Sequence, residues 1–178
     1  NNNSINILSS YIHIDYIYLD SEERTKYANN KHEYLIEQIQ FTGTKNIEPN
    51  IYNYQTKLDH RHNIKEIYFG LQPQSNLNID TQYGNEHNKY NNSGEEIISE
   101  VELLLNSLSV FGKKNSLWLY SVNPFNSHSN SPNDFLYSYS FALNPQEQQP
   151  SGSCNFTNIE DIRLKFKLKS QINDYLNL

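Results

Sequence analysis

Cysteine occurs once in this chain, at Cys154. An intrachain disulfide is therefore impossible, a cysteine-built metal cage is excluded, and a reducing compartment fits. Methionine is absent, even from the first position, where Asn1-Asn2-Asn3 stands. That start predicts a processed product or a piece of a longer polypeptide. No apolar run approaches the ~20 residues that a membrane helix needs, and no secretory leader pattern is visible. Basic blocks are missing too. The net charge is -6 and the pI is near 5.5, which argues against direct nucleic-acid binding. The most basic stretch, Arg163 to Lys169, alternates its charges with Leu164, Phe166 and Leu168. Such alternation marks a strand with one wet face before it marks a phosphate track.

What is present points to β structure. With 178 residues the chain is long enough for one ordinary domain with a core. Aromatics reach 13% although mean hydropathy is -0.78, and disordered chains are poor in aromatics. Tyr supplies 14 of them; Tyr, Ile, Thr and Phe favour strands. Asn is abundant and suits turns and left-handed positions, although an AT-rich coding genome would also raise Asn, Ile, Tyr and Lys.

Along the chain, Tyr11 to Leu19 reads as a strand. Asp20-Ser21-Glu22-Glu23 has the shape of a capping box and predicts a short helix over Ser21 to Ala28, closed by Asn29-Asn30. Tyr34 to Phe41 reads as strand, with an ambiguous period. Ile64 to Leu71 is a strand with Ile67, Phe69 and Leu71 on one face. Gln72 to Gly94 is polar and Asn-rich, a long surface loop. Strands are expected over Ile97–Leu105, Ser116–Val122, Phe135–Leu143 and Ile162–Leu168, with a Pro/Gln/Gly loop over Pro145–Ser153. Strands joined by long loops with almost no helix give an antiparallel sandwich or jelly roll.

Several constellations invite a catalytic or ligand-binding reading. His60, His62 and Glu66 match the first metal motif of the cupins, and on one strand the three would point to one side. The glycines that the cupin pattern wants around them are not in place, and its later Gly/Pro/Gly-x-x-His segment is absent. His128 would complete the set only by chance. Polar residues leading into a strand are the simpler reading. Ser151-Gly152-Ser153 lacks the spacing of a nucleophile elbow, and no phosphate-binding glycine loop exists. Cys154 reads as a small buried hydrophobe. Trp118, between Leu117 and Leu119, reads as core, with a sugar-binding use of Tyr as the alternative. Asn155-Phe156-Thr157 is a formal glycosylation sequon, meaningful only where the chain meets that machinery.

Four segments in order carry a family resemblance. They are Asp15-Tyr16-Ile17-Tyr18-Leu19-Asp20-Ser21-Glu22-Glu23-Arg24 with His32 to Gln38; His62-Asn63-Ile64-Lys65-Glu66-Ile67; Val122-Asn123-Pro124-Phe125 with Ser127-His128 and Pro132; and Tyr139-Ser140-Phe141-Ala142-Leu143-Asn144-Pro145 followed by Gln149-Pro150-Ser151-Gly152-Ser153-Cys154-Asn155-Phe156. Together they resemble the major capsid proteins of nucleocytoplasmic large DNA viruses. The chain departs from that pattern at Thr157-Asn158-Ile159-Glu160 and at Asn106-Ser107, where the family has an Asn-Gly turn.

The resemblance implies an all-β, antiparallel double jelly roll. Residues 1–20 would be the closing strand of a first jelly roll and 21–34 a connector with a short helix. Residues 35–178 would be the second jelly roll, lacking its last strand. It further implies a structural subunit, not an enzyme, with no cofactor and no metal. That subunit would form homotrimers that pack as pseudo-hexagonal capsomers of an icosahedral shell. Its partners would be neighbouring capsomers and minor capsid proteins, not nucleic acid or membrane. Its place would be the virion capsid, assembled in the host cytoplasm, and the loop 72–94 would stand on the outer face. The chain alone is expected to oligomerise or aggregate, because strands without neighbours leave open edges. Pro150, Ser151, Gly152, Ser153, Asn155 and Phe156 form the candidate assembly motif, with an ordinary β-turn as the alternative. The rival functions are a metal-dependent cupin-type enzyme and a carbohydrate-binding jelly-roll module.

Overall fold

A computed structural model describes residues 8–73, 91–92, 95–132, 136–169 and 176–177. The chain divides into two units, residues 1–39 and 40–178.

The first unit contains one regular element among its described residues, α1 (Ser21–Asn29). The Asp20 carboxylate accepts the Glu23 N–H at 2.8 Å, so the expected N-cap forms. Glu22 and Glu23 lie in the first turn and Lys26 in the last, each at the end of the helix dipole that favours its sign. The helix buries none of its residues. The strands expected at Tyr11–Leu19 and Tyr34–Phe41 do not form ladders, and Ile12, Ile17, Tyr18, Ile36 and Ile39 are exposed. β-propensity fits a residue to a pleated surface; it cannot supply the neighbouring strand.

The second unit is built from antiparallel pairs. Its strands are β1 (Asn46–Ile47), β2 (Asn53–Lys57), β3 (Asn63–Ile64), β4 (Glu66–Phe69), β5 (Gln72–Pro73), β6 (Asn91–Asn92), β7 (Glu95–Glu96), β8 (Ile98–Leu105), β9 (Leu108–Ser109), β10 (Lys114–Asn115), β11 (Tyr137–Ser140), β12 (Cys154–Asn155), β13 (Ile162–Leu168) and β14 (Leu176–Asn177). The main sheet has the order β10-β8-β13-β2, with β9 folded back on β8. β4 pairs with β11 and β3 with β12, while β14 lies between β1 and β5. Of the expected 72–94 loop, only residues 72–73 and 91–92 are described, as short strands; the rest lies outside the described residues, as does Phe135.

β13 shows why the sheet forms. Ile162, Leu164, Phe166 and Leu168 are buried while Arg163, Lys165 and Lys167 alternate outward. Each fully buried aliphatic side chain is worth about 1.5–3 kcal/mol. Two of the outward cations stand opposite carboxylates of β8: Lys165 is opposite Glu102, and Lys167 is opposite Glu100 with Nζ 3.7 Å from Oε2. Opposite charges placed across a ladder stabilise the register. On the inner face, the Phe166 ring lies 5.5 Å from Phe69, which stacks on Tyr137 at 5.4 Å. The β4–β11 pair thus covers the main sheet, and one apolar core lies between the two layers.

One predicted strand is helical instead. Residues Trp118–Val122 form a π-helical turn that runs into α2 (Asn123–His128). A short apolar run cannot be told from a buried helix by periodicity alone, and here local bonding favours helix. Asn115 Oδ1 accepts the Trp118 N–H at 3.1 Å. Pro124 stands in the first turn of α2, directly after the π-helical turn. Ser129, at φ 61°, ends the helix. Leu119 is fully buried, and Trp118 joins the rings of Phe111 and Tyr139 at the core's edge.

Candidate functional site

The candidate motif closes a loop that leaves the end of β11. Ser151 Oγ accepts the Asn144 N–H at 2.9 Å and donates to the Asn144 carbonyl at 3.2 Å. The Leu143 N–H reaches the Ser151 carbonyl at 3.4 Å. Gly152 has φ +141°, and a Cβ there would stand 2.7 Å from the Phe141 carbonyl oxygen. Only glycine fits both that angle and that approach. The chain then enters β12 opposite β3. Asn155 Oδ1 accepts the Thr157 N–H at 3.0 Å, capping a 3-10 turn over Phe156–Asn158. Phe156 is buried and meets Phe141 edge to face at 5.7 Å. Ser151, Gly152, Asn155 and Phe156 are thus the clamp at the loop's base; Pro150 and Ser153, like Gly152 and Asn155, are exposed.

The same clamp accounts for His62. Its N–H donates to Thr157 Oγ1 at 2.7 Å, and its carbonyl accepts the Phe156 N–H at 2.9 Å. His62 has φ +69°, and the strand starts only at Asn63 and breaks at Lys65. His60, His62 and Glu66 therefore do not share one strand face, and the described residues bring no three His, Cys, Asp or Glu side chains together as a metal cluster. Burial lowers the His60 pKa, with Asp59 pulling the other way.

Glu66 is engaged elsewhere. His128 Nε2 lies 2.6 Å from Glu66 Oε1, and the Tyr68 hydroxyl donates to Oε2 at 2.7 Å. Burial first, and then the bonded carboxylate, push the Tyr68 phenol up. Beside this cluster lies an open hollow of about 250 Å³. Ser138 Oγ, on β11 at its wall, is buried without a hydrogen-bond partner. The sequence offers His128 as an incidental fourth ligand and within the Val122–Pro132 family segment, but no signal in it pairs His128 with Glu66. Cys154 is half-buried, and burial raises its thiol pKa.

The model for the large eukaryotic DNA virus major capsid protein matches residues 23–176. The chain belongs to this family. It is 30% identical over 175 residues to probable capsid protein 4 of Acanthamoeba polyphaga mimivirus, covering 93% of the chain and 34% of that protein. It is 29% identical over 180 residues to the major capsid protein of Paramecium bursaria Chlorella virus 1, covering 88% of the chain and 41% of the relative. Among solved structures, the PBCV-1 virus capsid, a quasi-atomic model, superposes with a TM-score of 0.74 at 24% identity, over 91% of this chain and 50% of that one. The Faustovirus major capsid protein gives 0.63 at 14% identity, over 76% and 31%. The fold is thus the antiparallel jelly-roll architecture of these shell proteins. The chain spans about half or less of the proteins it matches.

Proposed function

We propose that this chain is part of a structural subunit of an icosahedral viral capsid, self-assembling into trimeric, pseudo-hexagonal capsomers in the virion. The observation that carries the reading is the family match over residues 23–176 together with the jelly-roll fold. Its mechanism is assembly: complementary surfaces between copies, without turnover. Residues 35–178 are the second jelly roll and 21–34 the connector. Residues 1–20 are the closing strand of the first jelly roll; Ile12, Ile17 and Tyr18, exposed and outside any ladder among the described residues, support that placement. Partners are further copies, neighbouring capsomers and minor capsid proteins, and assembly takes place in the host cytoplasm. The Pro150–Phe156 segment acts in assembly by holding the 144–150 loop in one shape.

The test is the complete reading frame, expressed and examined by native mass spectrometry and electron microscopy. Trimers with pseudo-hexagonal outlines are expected. A monomer, or a metal-dependent activity lost in His62→Ala, would overturn the reading in favour of a cupin-type enzyme; glycan binding by a monomer would favour a carbohydrate-binding module.

A further inference from the structure

The most basic stretch of the sequence runs along β13, and the strand beside it has an open side. β2 ends the main sheet and pairs with β13 alone among the described residues. The Leu58 N–H donates to the Ile162 carbonyl at 2.9 Å, and the Leu168 N–H to the Tyr52 carbonyl at 2.8 Å. Bonded pairs alternate along an antiparallel ladder. The backbone groups of Tyr54 and Thr56 therefore also face β13, while those of Asn53, Gln55 and Lys57 face the open side. No described residue pairs with these three N–H groups or with the Asn53 and Gln55 carbonyls; the Lys57 carbonyl accepts the Thr56 hydroxyl at 3.4 Å. The side chains of Asn53, Gln55 and Lys57 are exposed, opposite Lys167, Lys165 and Arg163 on one wet face. Tyr54 and Thr56 turn to the core side, where the Tyr54 ring stacks on Phe166 at 6.4 Å.

We propose that the open edge of β2 takes up an extended segment of a different protein as an added strand, with acidic side chains on its wet face and apolar ones beside Tyr54. This goes beyond the shell-subunit reading and needs only the edge and its charge. An unpaired edge is a template for another backbone. Strand addition draws affinity from main-chain bonds and specificity from alternate side chains. A phosphate backbone fits less well, since it accepts hydrogen bonds but has no donor for the Asn53 and Gln55 carbonyls. Charge selects the partner. β2 and β13 carry Lys57, Arg163, Lys165 and Lys167 and no carboxylate. Strands lie about 4.8 Å apart, so an added strand stands about 10 Å from β13 and about 14 Å from β8, which bears Glu100 and Glu102. Screening over about 8 Å at physiological salt leaves the nearer cations dominant. Asp59 and Asp161 reach Lys57 and Arg163 at one end, and Glu100 reaches Lys167. Lys165, in mid-face, has no ion pair among the described residues. Two copies meeting edge to edge would bring like cations together. The chain's own strand-like segments outside ladders, Tyr11–Leu19 and Tyr34–Phe41, hold one carboxylate each, Asp15 and Glu37, too few for this face.

Amide hydrogen exchange and fluorescence anisotropy on the 178-residue chain test this with synthetic peptides. One peptide alternates valine with glutamate, a second alternates valine with lysine, and a third scrambles the first. The glutamate peptide should bind and should slow exchange at the Asn53, Gln55 and Lys57 amides. The Tyr54 and Thr56 amides, already bonded to β13, should stay as they were. Lys57→Glu, at an exposed position on the edge itself, should weaken the glutamate peptide by about tenfold or more and strengthen the lysine peptide. Gln55→Pro removes an open-side N–H without removing a bond to β13 and should abolish binding. Circular dichroism melts check that both variants fold, and the reversed charge preference of Lys57→Glu is read independently of the proline variant. Binding of the lysine or scrambled peptide as tight as that of the glutamate peptide would overturn the proposal. So would edge amides already protected in the free chain, or protected by rising protein concentration alone. A folded Gln55→Pro chain that binds as before would overturn it as well.

Discussion

Glu66 and His128, 62 residues apart in sequence, meet at 2.6 Å and fasten the end of α2 to β4. Both carboxylate oxygens are occupied, one by the imidazole and the other by the Tyr68 hydroxyl. Their side chains are 6% and 15% exposed, so the bond is shielded from water. Hydrogen bonds to a charged partner are worth about 1.5–3 kcal/mol. His128→Ala should lower the urea-unfolding free energy by about that amount. A double-mutant cycle with Glu66→Gln should show coupling of roughly 0.5–3 kcal/mol; additive losses would mean that the pair is incidental.

Gly152→Ala should cost about 1–3 kcal/mol, because the backbone angle is unfavourable and the new methyl would press on the Phe141 carbonyl. The same change at Gly112, where φ is +69° and nothing lies within 4 Å, carries only the backbone penalty. Thermal denaturation of both variants compares them. Hydrogen exchange at Leu143 and Asn144 should rise in the first variant alone, since their amides bond to Ser151 next door.

Asn106 and Ser107 both have positive φ, 48° and 68°, at the turn that joins β8 to β9. Two such angles define the hairpin geometry that Asn-Gly satisfies best. A serine held there is strained by roughly 1–2 kcal/mol. Ser107→Gly should therefore raise the unfolding midpoint. A lower midpoint would mean that the serine side chain contributes more than its backbone angle costs.

His60 gives a pH dependence of known sign. Burial holds its pKa below the ordinary histidine value, so the folded chain binds this proton less readily than the unfolded chain. Its contribution is complete above about pH 6.5, the ordinary value. It is lost as pH falls from there through the lowered folded pKa. Urea midpoints at pH 7.5 and pH 5 should differ more in the wild type than in His60→Gln. Equal differences would exclude His60 as a source.

Much of this chain was legible without coordinates wherever the signal is local. Asp20 with Glu23 specified the start of α1, and the strict alternation of β13 specified both its limits and its wet face, because capping and pleating act between residues close in sequence. The ordered motifs around His62, Asn123 and Pro150 carried the family and the jelly-roll fold. Three features needed the folded chain. The segment around Trp118 became helical, with the Asn115 cap outweighing the β preference of its side chains. Tyr11–Leu19 stayed outside any ladder, since a strand exists only when another backbone is there to pair with it. The meeting of Glu66 with His128 was set by how β4, β11 and α2 pack. Sequence records which residues are apolar, charged or turn-forming at each position; which distant ones become neighbours is decided when those local elements bury a common core.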